Sequence, residues 1–233
     1  MYIILKKSTL TLGLFSMFLL ISSCNGQDED PMINEAPVSI RYLALGDSYT
    51  IGQGIASEGN WPNQLRDSLI SKGCMVDTSL IIARTGWTTT NLLDAMAEED
   101  LSTFNFVSLL IGVNNQFQRK PFDLYEEEFN VLLQQAIDIA GQQRVFVVSI
   151  PDYGVTPFGS NNAQTIADEL DEYNAYAEAQ CEARNIPFIN ITDISRSLGN
   201  SNGALAPDNL HPSKSQYTEW ISEILPIAKN LAK

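Results

Sequence analysis

The sequence predicts an α/β fold, a parallel sheet covered by helices on both faces. Apolar runs of strand length alternate along the chain with stretches of helical period, the pattern of right-handed βαβ units. The runs end in turn signals built from Gly, Asn, Asp or Pro. No internal repeat and no second domain is visible, and 233 residues suffice for one well-buried core.

The first strand is predicted at about Arg41 to Leu45, on the apolar run that starts at Tyr42 and stops at the Gly46-Asp47-Ser48 turn. Gly46 permits a tight bend there. The following Thr50 to Gly54 reads as loop, and its glycines do not complete a GxGxxG dinucleotide fingerprint. Asn60 is placed to cap a helix carrying Trp61, Leu65 and Leu69 at four-residue spacing, which Gly73 ends. Strand two is predicted at about Met75 to Ala83, leading into Arg84-Thr85-Gly86-Trp87. Thr88 or Thr89 caps a helix with Leu92, Leu93 and Ala97 on one face. Strand three is Phe106 to Ile111, ending at Gly112-Val113-Asn114-Asn115. An amphipathic helix follows over about Asp123 to Ala140, with Phe129, Leu132, Leu133, Ala136 and Ile137 inward and Gly141 closing it. Strand four is Arg144 to Ile150, stopped by Pro151. After the loop Pro151 to Gln164, a helix from about Ala163 to Arg184 carries Ile166, Leu170, Tyr173, Ala177 and Cys181. Strand five is short, near Pro187 to Ile191. A loop over Leu198 to Pro207 leads to Asp208-Asn209-Leu210-His211-Pro212, and the closing helix spans about Ser215 to Leu231.

The first two dozen residues predict an export signal outside the fold. Lys6 and Lys7 form a basic start, and Leu10 to Ile21 an apolar stretch too short for a comfortable membrane span. The segment ends Leu20-Ile21-Ser22-Ser23-Cys24, which resembles the lipobox of bacterial lipoproteins. That resemblance implies a lipoprotein signal peptide over residues 1–23, with Cys24 as the acylated first residue of the mature chain. The alternative is a plain secretory peptide with an incidental cysteine. Residues 24–38 are polar and acidic, a flexible tether, and residues 39–233 form the domain. The expectation is an exported protein, lipid-anchored in a bacterial cell-envelope membrane, periplasmic or at the cell surface.

Composition narrows the function classes. Acidic residues number 28 against 14 basic ones, which argues against nucleic-acid binding and is read as a solvated surface. One histidine, His211, excludes a multi-histidine metal site, and three scattered cysteines do not make a zinc cluster. Neither a metal nor a cofactor is expected.

Open α/β sheets place their chemistry just past the carboxyl ends of the strands. Ser48 sits there, where the backbone leaves strand one. A serine hydroxyl is a poor nucleophile until a base takes its proton. Here His211 is the only imidazole, and Asp208, three residues earlier, can orient it and stabilise the imidazolium. A Gly-X-Ser-X-Gly nucleophile elbow is not met, because position 50 is Thr.

Taken together, Gly46-Asp47-Ser48-Tyr49, Gly86, Gly112-Val113-Asn114-Asn115 and Asp208-Asn209-Leu210-His211 resemble the sequence blocks of the SGNH/GDSL hydrolase family. The match departs at Tyr49, where the family name has Leu, and at Asn115, where Asp is usual. The resemblance implies a three-layer α/β/α, flavodoxin-like fold with a five-stranded parallel sheet in the order 2-1-3-4-5. It implies Ser48 as nucleophile, His211 as general base and then acid, and Asp208 as its orienter. The oxyanion hole would be the Ser48 N–H, the Gly86 N–H and the Asn114 side-chain amide. The implied activity is hydrolysis of a small-molecule acyl ester through an acyl-enzyme, with carbohydrate acyl or acetyl esters as one substrate class. Lysophospholipids and acyl-thioesters, or a non-catalytic glycan-binding surface lipoprotein, are the alternatives.

That strand order also bears on the cysteines. Cys74 precedes edge strand two and Cys181 lies on the helix leading to the opposite edge. Four strand spacings of about 4.8 Å separate the edges, beyond disulfide reach, so both thiols are expected unpaired and mostly buried. Loops Thr50 to Gly59, Arg84 to Thr89 and Asp152 to Asn162 are expected to shape the pocket, with Trp87, Tyr153 and Phe158 as candidate substrate contacts.

Overall fold

A computed structural model describes residues 39–233. The predicted signal peptide, Cys24 and the whole of the tether lie outside the described residues. The described residues form five strands, β1 (Ile40–Gly46), β2 (Val76–Ala83), β3 (Phe106–Leu110), β4 (Val145–Val148) and β5 (Phe188–Ile189). They make one parallel sheet in the order β2-β1-β3-β4-β5. Eight α-helices accompany them among the described residues: α1 (Ser48–Ile51), α2 (Trp61–Ser71), α3 (Thr89–Ala97), α4 (Val113–Phe117), α5 (Phe122–Ala140), α6 (Ala163–Ala183), α7 (Thr192–Leu198) and α8 (Lys214–Leu231).

β3 and β4 are buried along their whole length and β1 at all but one residue, as strands covered on both faces must be. β2, at the sheet edge, alternates exposed and half-buried positions over most of its length. On one face α2 and α8 pack together, and Trp61 and Trp220 are both fully buried. Trp61 is thus a packing residue. On the other face α5 supplies Tyr125, Phe129, Leu132, Leu133 and Ala136 to the core. Tyr125 stacks on Tyr173 of α6 with ring centroids 4.4 Å apart. Each such large side chain contributes about 1.5–3 kcal/mol on burial.

Register brings the candidate residues together. Gly46, at the end of β1, pairs with Ala83 of β2 and with Leu110 of β3. The three strands therefore leave the sheet at one level, about 5 Å apart. Ser48, Gly86 and Asn114 lie two to four residues beyond those paired positions.

The structure departs from the sequence reading in several places. Thr50 and Ile51 belong to the short helix α1 rather than to a loop, with Gly52 in the left-handed conformation at its end. α4 and α7 were not predicted, since helices of five and seven residues show too little periodicity to stand out. On α3 the inward residues are Leu92 and Met96, while Ala97 is exposed. The loop after β4 is ordered by 3-10 turns at Tyr153–Val155 and Ser160–Asn162. Cys74 and Cys181 are unpaired as expected, Cys181 buried and Cys74 only half-buried. Burial pushes the Cys181 thiol up to about 12.

Candidate active site

Ser48 opens α1 directly after the β1 turn. Asp47 caps that turn of helix, its carboxylate accepting the Tyr49 N–H at 3.0 Å. Ser48 is buried at 4% exposure yet lines a cavity of about 220 Å³ together with Gly86, Asn114 and His211. The remaining wall is largely apolar, from Val113, Phe117, Tyr153 and Leu210.

His211 comes from the segment between α7 and α8, not directly from β5. An antiparallel bridge from Leu205 to Pro212 closes this segment, and Ala206 N–H donates to His211 O at 2.7 Å. Inside it, Asn209 takes the left-handed conformation, φ 57°, so the chain doubles back on itself. Asp208 Oδ1 accepts from the N–H groups of Leu210 and His211, each at 3.0 Å, while Oδ2 pairs with His211 Nδ1 at 2.8 Å. Burial alone would push the Asp208 carboxyl up. The His211 N–H and ring, with the Leu210 N–H, outweigh it and hold the carboxyl below its ordinary value. A charged Asp208 fixes the proton on Nδ1 and leaves Nε2 as the free basic nitrogen. Ser48 and His211 line the same cavity without a hydrogen bond between them, and contacts of this kind often tighten only around substrate.

Three contacts tie the chain after β1 to the His211 segment and α8. Tyr217 of α8 donates its hydroxyl to Tyr49 O at 2.9 Å, the Tyr49 and His211 rings lie 5.7 Å apart, and Gly54 backs onto Asp208. A Cβ on Gly54 would sit 2.9 Å from Asp208 Oδ2, and its φ of +87° also demands glycine.

Ser48 shares its cavity with residues that carry free hydrogen-bond donors. Among the described residues, neither the Ser48 N–H nor the Gly86 N–H carries a hydrogen bond. Asn114 Nδ2 spends one hydrogen on Trp87 O, at 3.0 Å, and keeps the other. The Gly86 turn, at φ 85°, is braced from α4: Gln118 donates to Gly86 O at 2.9 Å, and Asn114 to Trp87 O. Asn115 is fully buried beneath it. Its Oδ1 accepts the Thr89 N–H at 3.0 Å and its Nδ2 donates to Thr89 Oγ1 at 2.7 Å. The Thr89 hydroxyl in turn donates a hydrogen bond to Glu128 of α5. An Asn at this position thus suits a relay that ends on a carboxylate. Asp at 115 would compete with Glu128 for the same proton.

All five predicted site residues within the described chain, Ser48, Gly86, Asn114, Asp208 and His211, meet at this end of the sheet. Of the three candidate aromatics, Tyr153 and Phe158 line the cavity and Trp87 does not. Phe117 does, and the sequence reading missed it. The expected contribution of Thr50 to Gly59 is corrected too: that loop braces Thr85, through Gln53 at 2.6 Å, and Asp208, and none of it lines the cavity. Among the described residues no cluster of His, Cys, Asp or Glu could hold a metal ion.

The fold and this convergence define a hydrolase-type α/β domain with its site at the topological switch point, where strand order reverses beside β1. The chain belongs to the GDSL-like lipase/acylhydrolase family, whose model matches residues 44–218, and is therefore an ester-bond hydrolase. Solved structures share the fold at low identity. The acetylxylan esterase Axe2 of Geobacillus stearothermophilus is 17% identical at a TM-score of 0.65, covering 81% of this chain and 94% of its own. The psychrotrophic esterase EstA of Pseudoalteromonas, solved inhibited by monoethylphosphonate, is 17% identical at 0.59, covering 81% and 96%. TesA is 16% identical at 0.64, covering 82% and 99%. No curated protein matches the sequence closely enough to count as a relative.

Proposed function

We propose that the chain hydrolyses short-chain acyl esters of carbohydrates by a Ser48-His211-Asp208 mechanism. The observation that carries this is a charged-carboxylate–imidazole pair facing the same cavity as a serine ringed by unspent donors. His211 Nε2 takes the Ser48 proton as Oγ attacks the ester carbonyl. The carbonyl oxygen becomes an oxyanion held by the Ser48 and Gly86 N–H groups and the free Asn114 amide hydrogen, and Asp208 stabilises the imidazolium. His211 then gives its proton to the departing alkoxide, leaving acyl-Ser48. Water, deprotonated by the same nitrogen, attacks the acyl group, and Ser48 leaves with the returned proton. Preorganised donors of this kind each supply about 3 kcal/mol of transition-state stabilisation.

Cavity size supports a short acyl group. At about 220 Å³ the cavity accommodates a small acyl group, about seven water-sized groups in volume. An aryl acetate assay tests the mechanism. The parent should turn over, and Ser48→Ala should lose about a thousandfold or more in kcat; equal rates would remove Ser48 as the nucleophile.

We also propose that the protein is exported and anchored through lipid on Cys24. The basic start, the apolar stretch and the small residues before Cys24 support this reading. Metabolic labelling with a fatty acid should mark the parent and not Cys24→Ala; equal labelling of both would exclude it.

A further inference from the structure

A second cavity, of about 450 Å³, opens beside the first. The two share a wall of three aromatic rings: Phe117 lies 5.8 Å from Phe158 and 6.1 Å from Tyr153. Phe117 and Phe158 are 52% and 54% exposed, unusually open for such large apolar side chains. The far wall of the second cavity is polar, from Arg119, Asn162, Thr165 and Glu169.

We infer that this second cavity is the leaving-group site for a neutral sugar ring, with Phe117 and Phe158 as its stacking platform. The inference rests on the proposed ester hydrolysis and names the alcohol that the reaction releases. Three features carry it. First, the polar wall is unspent. Tyr153 donates its hydroxyl to Gln116 Oε1 at 2.9 Å, and Gln116 Nε2 donates to Glu169 Oε2 at 2.6 Å. That chain leaves Glu169 Oε1 without a partner among the described residues. The side chains of Arg119, Asn162 and Thr165 make no hydrogen bond among those residues either. A ring of hydroxyls matches such a mixture of free donors and acceptors, whereas an acyl chain would strip water from them with no return.

Second, the aromatic faces sit between the polar wall and Ser48. Aromatic faces are electron-rich, and the C–H face of a pyranose presents the complementary partial charge. A ring lying on Phe117 and Phe158 would carry its ester oxygen towards the first cavity and its remaining hydroxyls towards Glu169 and Arg119. Third, charge disfavours an anionic head group. Glu169 shares the cavity lining with Arg119, and the chain as a whole carries −14, so a phosphate gains little there. The volume, about fifteen water-sized groups, takes one pyranose ring with room to spare.

Two surface substitutions, read by a binding assay and by a kinetic ratio, test this. The Ser48→Ala protein is titrated by calorimetry with a methyl mono-O-acetyl-xylopyranoside, which keeps two free hydroxyls, then with lysophosphatidylcholine, alone and with Phe158→Ala or Thr165→Trp added. Thr165 is exposed on α6, so the indole fills the cavity from outside without disturbing the core. In the otherwise native enzyme, the ratio of kcat/KM for the sugar ester to that for 4-nitrophenyl acetate is measured for the same two substitutions. The expected result is binding of the sugar ester that weakens at least tenfold in both variants, with the ratio falling at least tenfold, mainly through KM. Unchanged affinity and an unchanged ratio would overturn the inference. So would tighter binding of lysophosphatidylcholine that both substitutions abolish, which would make the cavity an acyl-chain slot. Loss of the catalytic reading shows separately, as aryl acetate turnover that survives Ser48→Ala.

Discussion

Replacing Asp47 by Asn should stabilise the protein increasingly as pH rises from about 4 to 8. The Asp47 carboxyl is fully buried. One oxygen accepts the Tyr49 N–H at 3.0 Å, and Oδ2 has no partner among the described residues. Burial pushes the group from its ordinary 3.8 up to about 7, against the lowering effect of the Tyr49 N–H and its own backbone. The sign follows from proton counts. Between those two values the folded chain keeps a proton that the unfolded chain has released, so stability falls with rising pH and levels off above about 7. A difference of about three pH units, at about 1.4 kcal/mol each, sets an upper bound of about 4 kcal/mol. Asn keeps the carbonyl that caps α1 and replaces the acid proton by an N–H that does not titrate. Urea unfolding of parent and Asp47→Asn at pH 4 and pH 8 measures the effect directly. The stability difference should shift in favour of the variant by several kcal/mol across the range. A difference constant within about 1 kcal/mol would refute the burial argument.

Other perturbations separate the site's parts. Asn114→Ala should lower kcat on an aryl ester by about a hundredfold to a thousandfold with little change in KM, as for loss of one oxyanion donor. Asn115→Asp should destabilise the fold by about 1–3 kcal/mol, because Thr89 then loses a donor and two carboxylates face one hydroxyl; adding Glu128→Gln should recover part of that loss in a double-mutant cycle. Gly54→Ala should cost about 1–2 kcal/mol from its positive φ and also lower kcat, because the new methyl group would press on Asp208.

Much of the sheet was legible because parallel strands buried on both faces read as continuous apolar runs, and Phe106 to Leu110 is such a run. The site was legible where it sits in short motifs. Asp208 and His211 are three residues apart, and their backbone and side-chain bonds close one compact turn. What supports those motifs was not legible. The Asn115–Thr89–Glu128 relay joins three segments spread over 39 positions, and each residue alone looks like an ordinary polar surface residue. Tyr217 and Tyr49 are 168 positions apart. Phe117 lies on a single turn and a half of helix where one aromatic makes no pattern. Its role emerges only when Tyr153 and Phe158 fold back beside it. Helix α7 was missed for the same reason of length, and with it the fact that His211 is held by its own bridged loop and α8.

The central claim is that Ser48 is a nucleophile activated by the His211–Asp208 pair, and active-site labelling tests it most directly. The enzyme is inactivated with an aryl phosphonate and the modified peptide identified by mass spectrometry, in the parent and in His211→Ala. The account predicts one adduct per chain on Ser48, formed in step with loss of activity, and labelling slowed by orders of magnitude without the imidazole. Inactivation with Ser48 unmodified, or equal labelling rates in the two proteins, would contradict it.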